Sequence, residues 1–328
     1  MKKVLVLMAT YNGEKYLEKQ IDSILNQKNI DVSLLIRDDG STDNTKKIIQ
    51  RKMKLGSKIS LLEADAEDSH GAMINYYKLL CIAQTTESMK YDFFALSDQD
   101  DVWLPNKLAI MSKRFKNSNK PELVYANYSV IDSNDVKVVN NVANEIGLDY
   151  ENPIVLLFNN SFAWGHSIMF NAMLLKSVSI NEAIAKSNFP HDAYLAKYAV
   201  LCDGLMYEPE VLVNYRRHSE NVSSIWYKLS VKLIQKKLDF AREGKIYANL
   251  INANFLLFQE NKNSRFIDSS IIDTYNKGLG TRGISTFIYF RKNKIYRKQK
   301  SRDFNMKLTY ALGIYAKWVG KSRKMVNI

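Results

Sequence analysis

Short apolar runs alternate with helical periods through the first hundred residues, and that alternation restricts the fold more than any other feature of the chain. Residues 4–9, 32–36, 59–62 and 93–96 read as buried strands. Between them, residues 16–27 place Leu17, Ile21, Ile24 and Leu25 on one helical face, a second helix runs through Ile48 and Ile49, and a third covers 73–84. The hydroxyls and carboxylate of Ser41-Thr42-Asp43-Asn44-Thr45 suit the start of that second helix. Strands alternating with helices predict parallel pairing, helices on both sheet faces, and ligands at the carboxyl ends of the strands.

Two of those carboxyl ends are acidic. Ile36-Arg37-Asp38-Asp39-Gly40-Ser41 follows one strand, and Ser97-Asp98-Gln99-Asp100-Asp101 follows another. An isolated D-x-D segment reads first as a solvated acidic turn. Hard cations such as Mg²⁺ or Mn²⁺ take oxygen ligands, commonly one or two carboxylates plus substrate phosphates, so two acidic strand ends together favour a diphosphate clamp.

The pattern continues with a helix opening at Pro105-Asn106-Lys107-Leu108, strand over 123–132, strand over 167–171, helix over 193–201, and a strand at 211–215 that runs into Arg216-Arg217-His218. Residues 136–160 read as a polar loop or short helices. Past Ser224 long helical periods take over, through Leu229, Leu233, Leu238, Ile246, Leu250, Phe255 and Leu256, which divides the chain into 1–225 and a helical region 226–328. Charge follows the same division. From Trp226 onward there are 22 Lys or Arg against 6 Asp or Glu, whereas the earlier part has 25 against 28. A basic excess attracts polyanions, either nucleic acid or an anionic membrane face, and is otherwise a solvated helical surface. Residues 287–298 and 310–318 mix aromatic and basic side chains, as helices lying in a lipid interface do. No run of about 18 apolar residues predicts a spanning helix. The N-terminal apolar run breaks at Thr10-Tyr11-Asn12-Gly13 and reads as a strand rather than a leader. Cys81 and Cys202 offer neither a disulfide framework nor zinc spacing, which fits a reducing cytoplasm.

Five segments in order, Ala9-Thr10-Tyr11-Asn12-Gly13, Arg37-Asp38-Asp39-Gly40-Ser41-Thr42-Asp43, Ser97-Asp98-Gln99-Asp100-Asp101-Val102-Trp103, His191-Asp192 and Tyr215-Arg216-Arg217-His218, resemble glycosyltransferase family 2. More narrowly they are similar to bacterial rhamnosyltransferases that build cell-wall and capsular polysaccharides. The likeness covers roughly residues 1–225. It implies an α/β GT-A fold, a nucleotide-sugar-binding, Rossmann-like mixed sheet flanked by helices, with a helical basic C-terminal appendage. It also implies transfer from a nucleotide diphosphate sugar with inversion.

On that resemblance Thr10, Tyr11 and Asp39 bind the nucleoside, Asp98 lies near the ribose, and Asp100 ligates Mg²⁺ or Mn²⁺ with His218 completing the shell. Arg216 meets the diphosphate. Asp192 is the general base, with His191 orienting it or touching the acceptor. Gly71 and Asn75 fall where the family places a segment near the nucleotide, and Asp101 reads as a cap for the helix near Pro105. Trp164-Gly165-His166-Ser167 departs from the smaller Gly- and Thr-rich acceptor loop of relatives.

The expected activity is rhamnosyl transfer from dTDP-L-rhamnose to a lipid-linked glycan at the cytoplasmic leaflet, with the basic region docking the enzyme on the inner face of the membrane. A UDP-sugar-dependent galactosyl- or glucosyltransferase is the alternative within the fold. A nucleic-acid-binding protein would use the basic region, but no nucleic-acid module is recognisable, so no nucleic acid is expected as partner. A catalytically inactive scaffold would have no need of complete acidic loops.

Overall fold

The computed structural model describes residues 1–55, 58–64, 70–87, 90–116, 119–159, 162–187, 189–218 and 240–319. Four strands, β1 (Lys3–Thr10), β2 (Asp31–Asp38), β3 (Ile59–Glu63) and β4 (Phe93–Ser97), pair in parallel in the order β3-β2-β1-β4, as the alternation predicts. Helices α1 (Leu17–Leu25), α2 (Thr45–Lys54) and α3 (Ala72–Ile82) connect them. The central strands β1 and β4 are apolar and buried along nearly their whole length, as expected of parallel strands covered on both faces.

Beyond β4 the sheet becomes mixed. After the two-residue β5 (Val102–Trp103) and α4 (Lys107–Ser112) come β6 (Leu123–Ile131), β7 (Lys137–Val139), α5 (Val142–Ile146), β8 (Ile168–Asn171), α6 (Ala172–Ser177), α7 (Glu182–Lys186), α8 (His191–Leu201) and β9 (Leu205–Arg216). The sheet continues β4-β8-β6-β9-β5, with β8 antiparallel to both neighbours and β6 parallel to β9. The carboxyl ends of β1, β2, β4 and β9 therefore deliver all the acidic and basic loops to one edge. β9 is longer than expected because β6 offers it partners from Leu205 to Arg216, with two register shifts between.

Two expectations change. The stretch 136–160 is not simply polar: Pro153–Phe158 forms a 3-10 turn in which Ile154, Val155, Leu156, Leu157 and Phe158 are all buried. The C-terminal helices explain why. α9 (Phe240–Glu260), α10 (Ser269–Gly280), α11 (Ile284–Lys292) and α12 (Lys300–Leu312) close over this turn, and Phe158 packs among Tyr275, Phe290 and Tyr310 at centroid distances of 4.9 to 5.5 Å. Ring-to-ring packing of this kind is core, not lipid contact. Phe290, Tyr310 and Tyr315 are fully buried, so they do not enter a membrane as the sequence pattern suggested. The exposed large apolar residues here are instead Ile284, Ile288, Phe304 and Leu312. The helices share a continuous apolar core with the sheet. The expected boundary at 225, and the periods at Leu229, Leu233 and Leu238, lie outside the described residues. Among the described residues no helix is long and apolar enough to cross a membrane.

Candidate active site

The loops after β1, β2 and β4 are laced together by side chains that accept from one another's backbone. Tyr11 N–H donates to Gln99 Oε1 (2.9 Å) and Gln99 Nε2 donates back to Tyr11 O (3.0 Å). Asn12, at φ 47°, accepts Thr42 N–H and donates its own N–H to Ser41 Oγ. A Cβ on Gly13 would lie 2.4 Å from Gln99 Oε1, so the clasp requires glycine there. Tyr11 is left exposed beside the cleft. Thr10 is buried and its hydroxyl donates to Asp38 (3.0 Å), so it ties β1 to β2 rather than offering that group to a ligand. Asp39 is buried, accepting from Gly71 N–H (2.8 Å) and lying 3.2 Å from His70 Nδ1 and 3.4 Å from an Arg37 nitrogen. Asn75 holds that arginine in turn (2.9 Å), so Gly71 and Asn75 act by positioning Asp39.

The loop after β4 carries the acidic group. Asp98 Oδ1 lies 2.9 Å from the Tyr76 hydroxyl. Burial, then the neighbouring Asp100 charge, pushes the Asp98 carboxyl up to about 7, with Asp192 adding to the rise and Tyr76 and Lys107 opposing it. Asp100 Oδ2 sits 2.8 Å from His218 Nε2. Asp101 does not cap the following helix. It is wholly buried, accepts Arg216 N–H at 2.8 Å, and is pushed well above the carboxylate range by burial and by Asp100 and Asp98.

Arg216 also differs from expectation. Its guanidinium is 1% exposed, donates to Asp100 O (2.7 Å), Asp132 O (3.0 Å) and Asp135 (2.6 Å), and stacks 4.4 Å from the Tyr16 ring. A planar fork satisfied in this way anchors the acidic loop to β9 instead of reaching a diphosphate.

Asp192 lies in the first turn of α8. Its Oδ2 accepts Gly165 N–H (2.9 Å) and its Oδ1 accepts Ala193 N–H (2.6 Å). His191 does not orient it; the imidazole stacks on Tyr76 at 3.8 Å, its nitrogens without partners, and burial lowers its pKa against the pull of Asp192. Asp98, Asp100, Asp192, His191 and His218 all line one cavity of about 2510 Å³, together with Tyr11 and Asp39.

One cluster at the acidic loop has the donor chemistry for a divalent cation. Asp98, Asp101 and His166 bring ligand atoms within 4.8 Å of one another, and Asp101 Oδ2 and His166 Nε2 are buried without a partner. Asp101 already faces the buried Lys107, whose amine is held well below its ordinary pKa by burial. Asp98, Asp100 and His218 are the ones that reach the cavity. They are therefore the candidates to hold an ion in contact with a substrate.

A profile described as glycosyl transferase family 2 matches residues 5–179. The chain belongs to that family. The matched stretch contains every acidic loop but stops short of Asp192 and His218. Among relatives of this glycosyltransferase, the dTDP-rhamnosyl transferase RfbG of Shigella flexneri is 40% identical over 115 residues, 34% of this chain and 38% of that protein. The UDP-Glc:alpha-D-GlcNAc-diphosphoundecaprenol beta-1,3-glucosyltransferase WfgD of Escherichia coli is 33% identical over 138 residues, 40% of this chain and 48% of that one. Both matches span less than half of the relative. The S. aureus TarS 1-349 structure in complex with UDP-GlcNAc aligns over 97% of this chain and 92% of its own at a TM-score of 0.50 and 16% identity, which shows the shared GT-A fold.

Sequence reasoning about this glycosyltransferase missed Tyr76, Gln99, Lys107 and His166. His166 stacks 4.6 Å from Tyr215 and lies 4.0 Å from Asp98, while burial takes its pKa down to about 3. Lys107 donates to His166 O at 2.7 Å and sits 3.2 Å from the Trp103 ring centre. Only the unusual Trp164-Gly165-His166-Ser167 segment hinted at this layer, and nothing local pairs it with Asp98.

Proposed function

We propose that this family 2 glycosyltransferase is an inverting, metal-dependent enzyme that moves L-rhamnose from dTDP-rhamnose to a lipid-linked glycan during cell-wall or capsule synthesis. The observation that carries the reading is that Asp192 and the acidic loop of β4 share one cleft. Inversion needs a base on the face of the sugar opposite the leaving group. Asp192, fixed by two N–H bonds, retains lone pairs for the acceptor hydroxyl proton. The acceptor oxygen then bonds to the anomeric carbon as the nucleotide diphosphate leaves with the electrons of the broken bond. Asp98, Asp100 and His218 would hold Mg²⁺ or Mn²⁺, which when bound offsets charge on the departing diphosphate. Tyr76 positions Asp98, and Arg216 and Gln99 hold the loop that carries it. Tyr11 and Asp39 form the nucleoside end, with Tyr11 free to cover a base.

The resemblance to RfbG supports rhamnose, and the printed specificity of WfgD supports the second reading, a UDP-hexose donor with a diphosphate-linked acceptor. A panel of dTDP-rhamnose, UDP-glucose and UDP-galactose with purified enzyme and Mn²⁺ separates them. Turnover of none of these donors, with metal present and the protein folded, would remove the proposal.

Membrane docking at the inner face belongs to the same reading, now on the exposed residues of the two segments and their neighbours. Ile284 and Ile288 on α11 and Phe304 and Leu312 on α12 are exposed, and Phe287 joins the two helices through Phe304 at 6.1 Å. Exposed Arg291, Lys292 and Lys300 on these helices complement an anionic bilayer. Co-sedimentation with phosphatidylglycerol vesicles that survives Ile288→Asp and Phe304→Asp would place docking elsewhere.

A further inference from the structure

The cavity that holds the donor residues has a second wall, built from α9, α12 and the segment between α11 and α12. Its charge is opposite. The sheet edge contributes Asp39, Asp98 and Asp100 with Lys15, and α8 contributes Asp192 with the buried Lys197, whereas the helical wall contributes Arg242, Arg297 and Arg302 with Glu243 as its carboxylate. Two of the guanidiniums act on a common group: Arg297 and Arg302 both act electrostatically on the Tyr150 hydroxyl, and Arg297 also bonds to Asn159 Oδ1 at 2.8 Å. On α9 the cavity-lining Asn252 has its Oδ1 buried without a partner, an acceptor that suits a sugar hydroxyl beside the anionic group and not a phosphate oxygen.

Three guanidiniums on a cavity wall are more than a neutral glycan needs. Arginine offers fork-shaped donors that match phosphate oxygens in pairs, and in a concave site the match is strengthened by reduced screening. We infer that the helical wall binds the anionic diphosphate of the acceptor, so that this enzyme selects acceptors whose reducing end carries a diphosphate ester, with Arg297 and Arg302 as specificity-determining residues. The inference rests on the sheet edge being the donor site, since only then is this wall left to the acceptor.

The test titrates the full chain with farnesyl diphosphate by calorimetry in EDTA, which keeps diphosphate from metal at the sheet edge, alongside farnesol as the neutral control. The expected result is salt-sensitive binding of the diphosphate, at least tenfold weaker in Arg302→Gln and in Arg297→Gln, and much weaker binding of farnesol. Arg302 is exposed, so its variant is the one least prone to disturb folding. Unchanged affinity in both variants, or equal binding of farnesol, overturns the assignment. So does loss of phosphatidylglycerol vesicle binding in the variants with farnesyl diphosphate affinity retained, because the arginines would then serve bilayer headgroups. Mn²⁺-dependent binding of dTDP or UDP to the same proteins reports the donor reading separately. Its absence from the unsubstituted chain counts against the donor site, whereas the farnesyl diphosphate titration decides the acceptor wall by itself.

Discussion

His218 Nε2 lies 2.8 Å from Asp100 Oδ2 across 118 positions of sequence, joining the loop after β9 to the loop after β4. The acidic loop is held a second time by Gln99, which clasps it to Tyr11. Two distant strand ends therefore fix one set of carboxylates at the cleft.

His218→Ala should weaken Mn²⁺ binding by about 10- to 100-fold, the usual effect of losing a ligand or its close support. Asp100→Ala should do the same, and EDTA should abolish turnover in the unsubstituted enzyme. Calorimetric Mn²⁺ titration with dTDP or UDP present checks all three; unchanged metal affinity in both variants removes the pair from the metal site.

Asp192→Asn keeps the shape of the side chain but not its basicity. Turnover should fall by about 10² to 10⁴, with nucleotide affinity unchanged. Steady-state kinetics beside a nucleotide titration make the distinction. Full activity in this variant would leave the base unidentified.

Arg216→Met should lower stability by about 2 to 4 kcal/mol, because it strips donors from Asp100 O, Asp132 O and Asp135. Asp135 is partly exposed, which holds the loss below that of a fully buried pair. Thermal or urea unfolding measures it. If stability is unaffected and only nucleotide binding falls, Arg216 belongs to the diphosphate after all.

Lys197 is buried on α8 with Asn254 Oδ1 at 2.8 Å, and burial brings its pKa down from 10.5 to about 7. The unfolded chain keeps that proton up to its ordinary pKa near 10.5, so between about pH 7 and 10 the unfolded state binds more protons and stability rises with pH. Below pH 7 both states are charged and the burial cost is constant, at most roughly 5 kcal/mol. The melting temperature of Lys197→Met relative to the parent should therefore be highest at pH 6 and converge on it by pH 10. Parallel melting curves across that range would contradict the buried amine.

The alternation of β1 to β4 with α1 to α3 was legible because each of those elements carries its own period, and a period of two or 3.6 residues needs no partner to be seen. The acidic strand ends were visible for the same reason, and the order of five short motifs placed Asp39, Asp98, Asp100, Asp192 and His218. The burial of the run from Ile154 to Phe158 could not be read, since an apolar run of that length declares a core without saying which helices will cover it. The tail follows the same rule: Phe290, Tyr310 and Tyr315 look like lipid-facing rings until Phe158 is found packed on Phe290 and Tyr310, and Tyr315 on Tyr310.

The amino-acid order by itself determined the sheet's first half, the family and the carboxylates of the cleft, because those follow from local pattern and short contiguous motifs. Only the tertiary structure decided that Arg216 is an anchor, that His166 and Lys107 stand behind Asp98 and Asp101, and that α9 and α12 wall the same cavity as Asp192. Those roles depend on burial and on charges meeting across as many as 118 residues, and neither quantity exists until the chain has closed on itself.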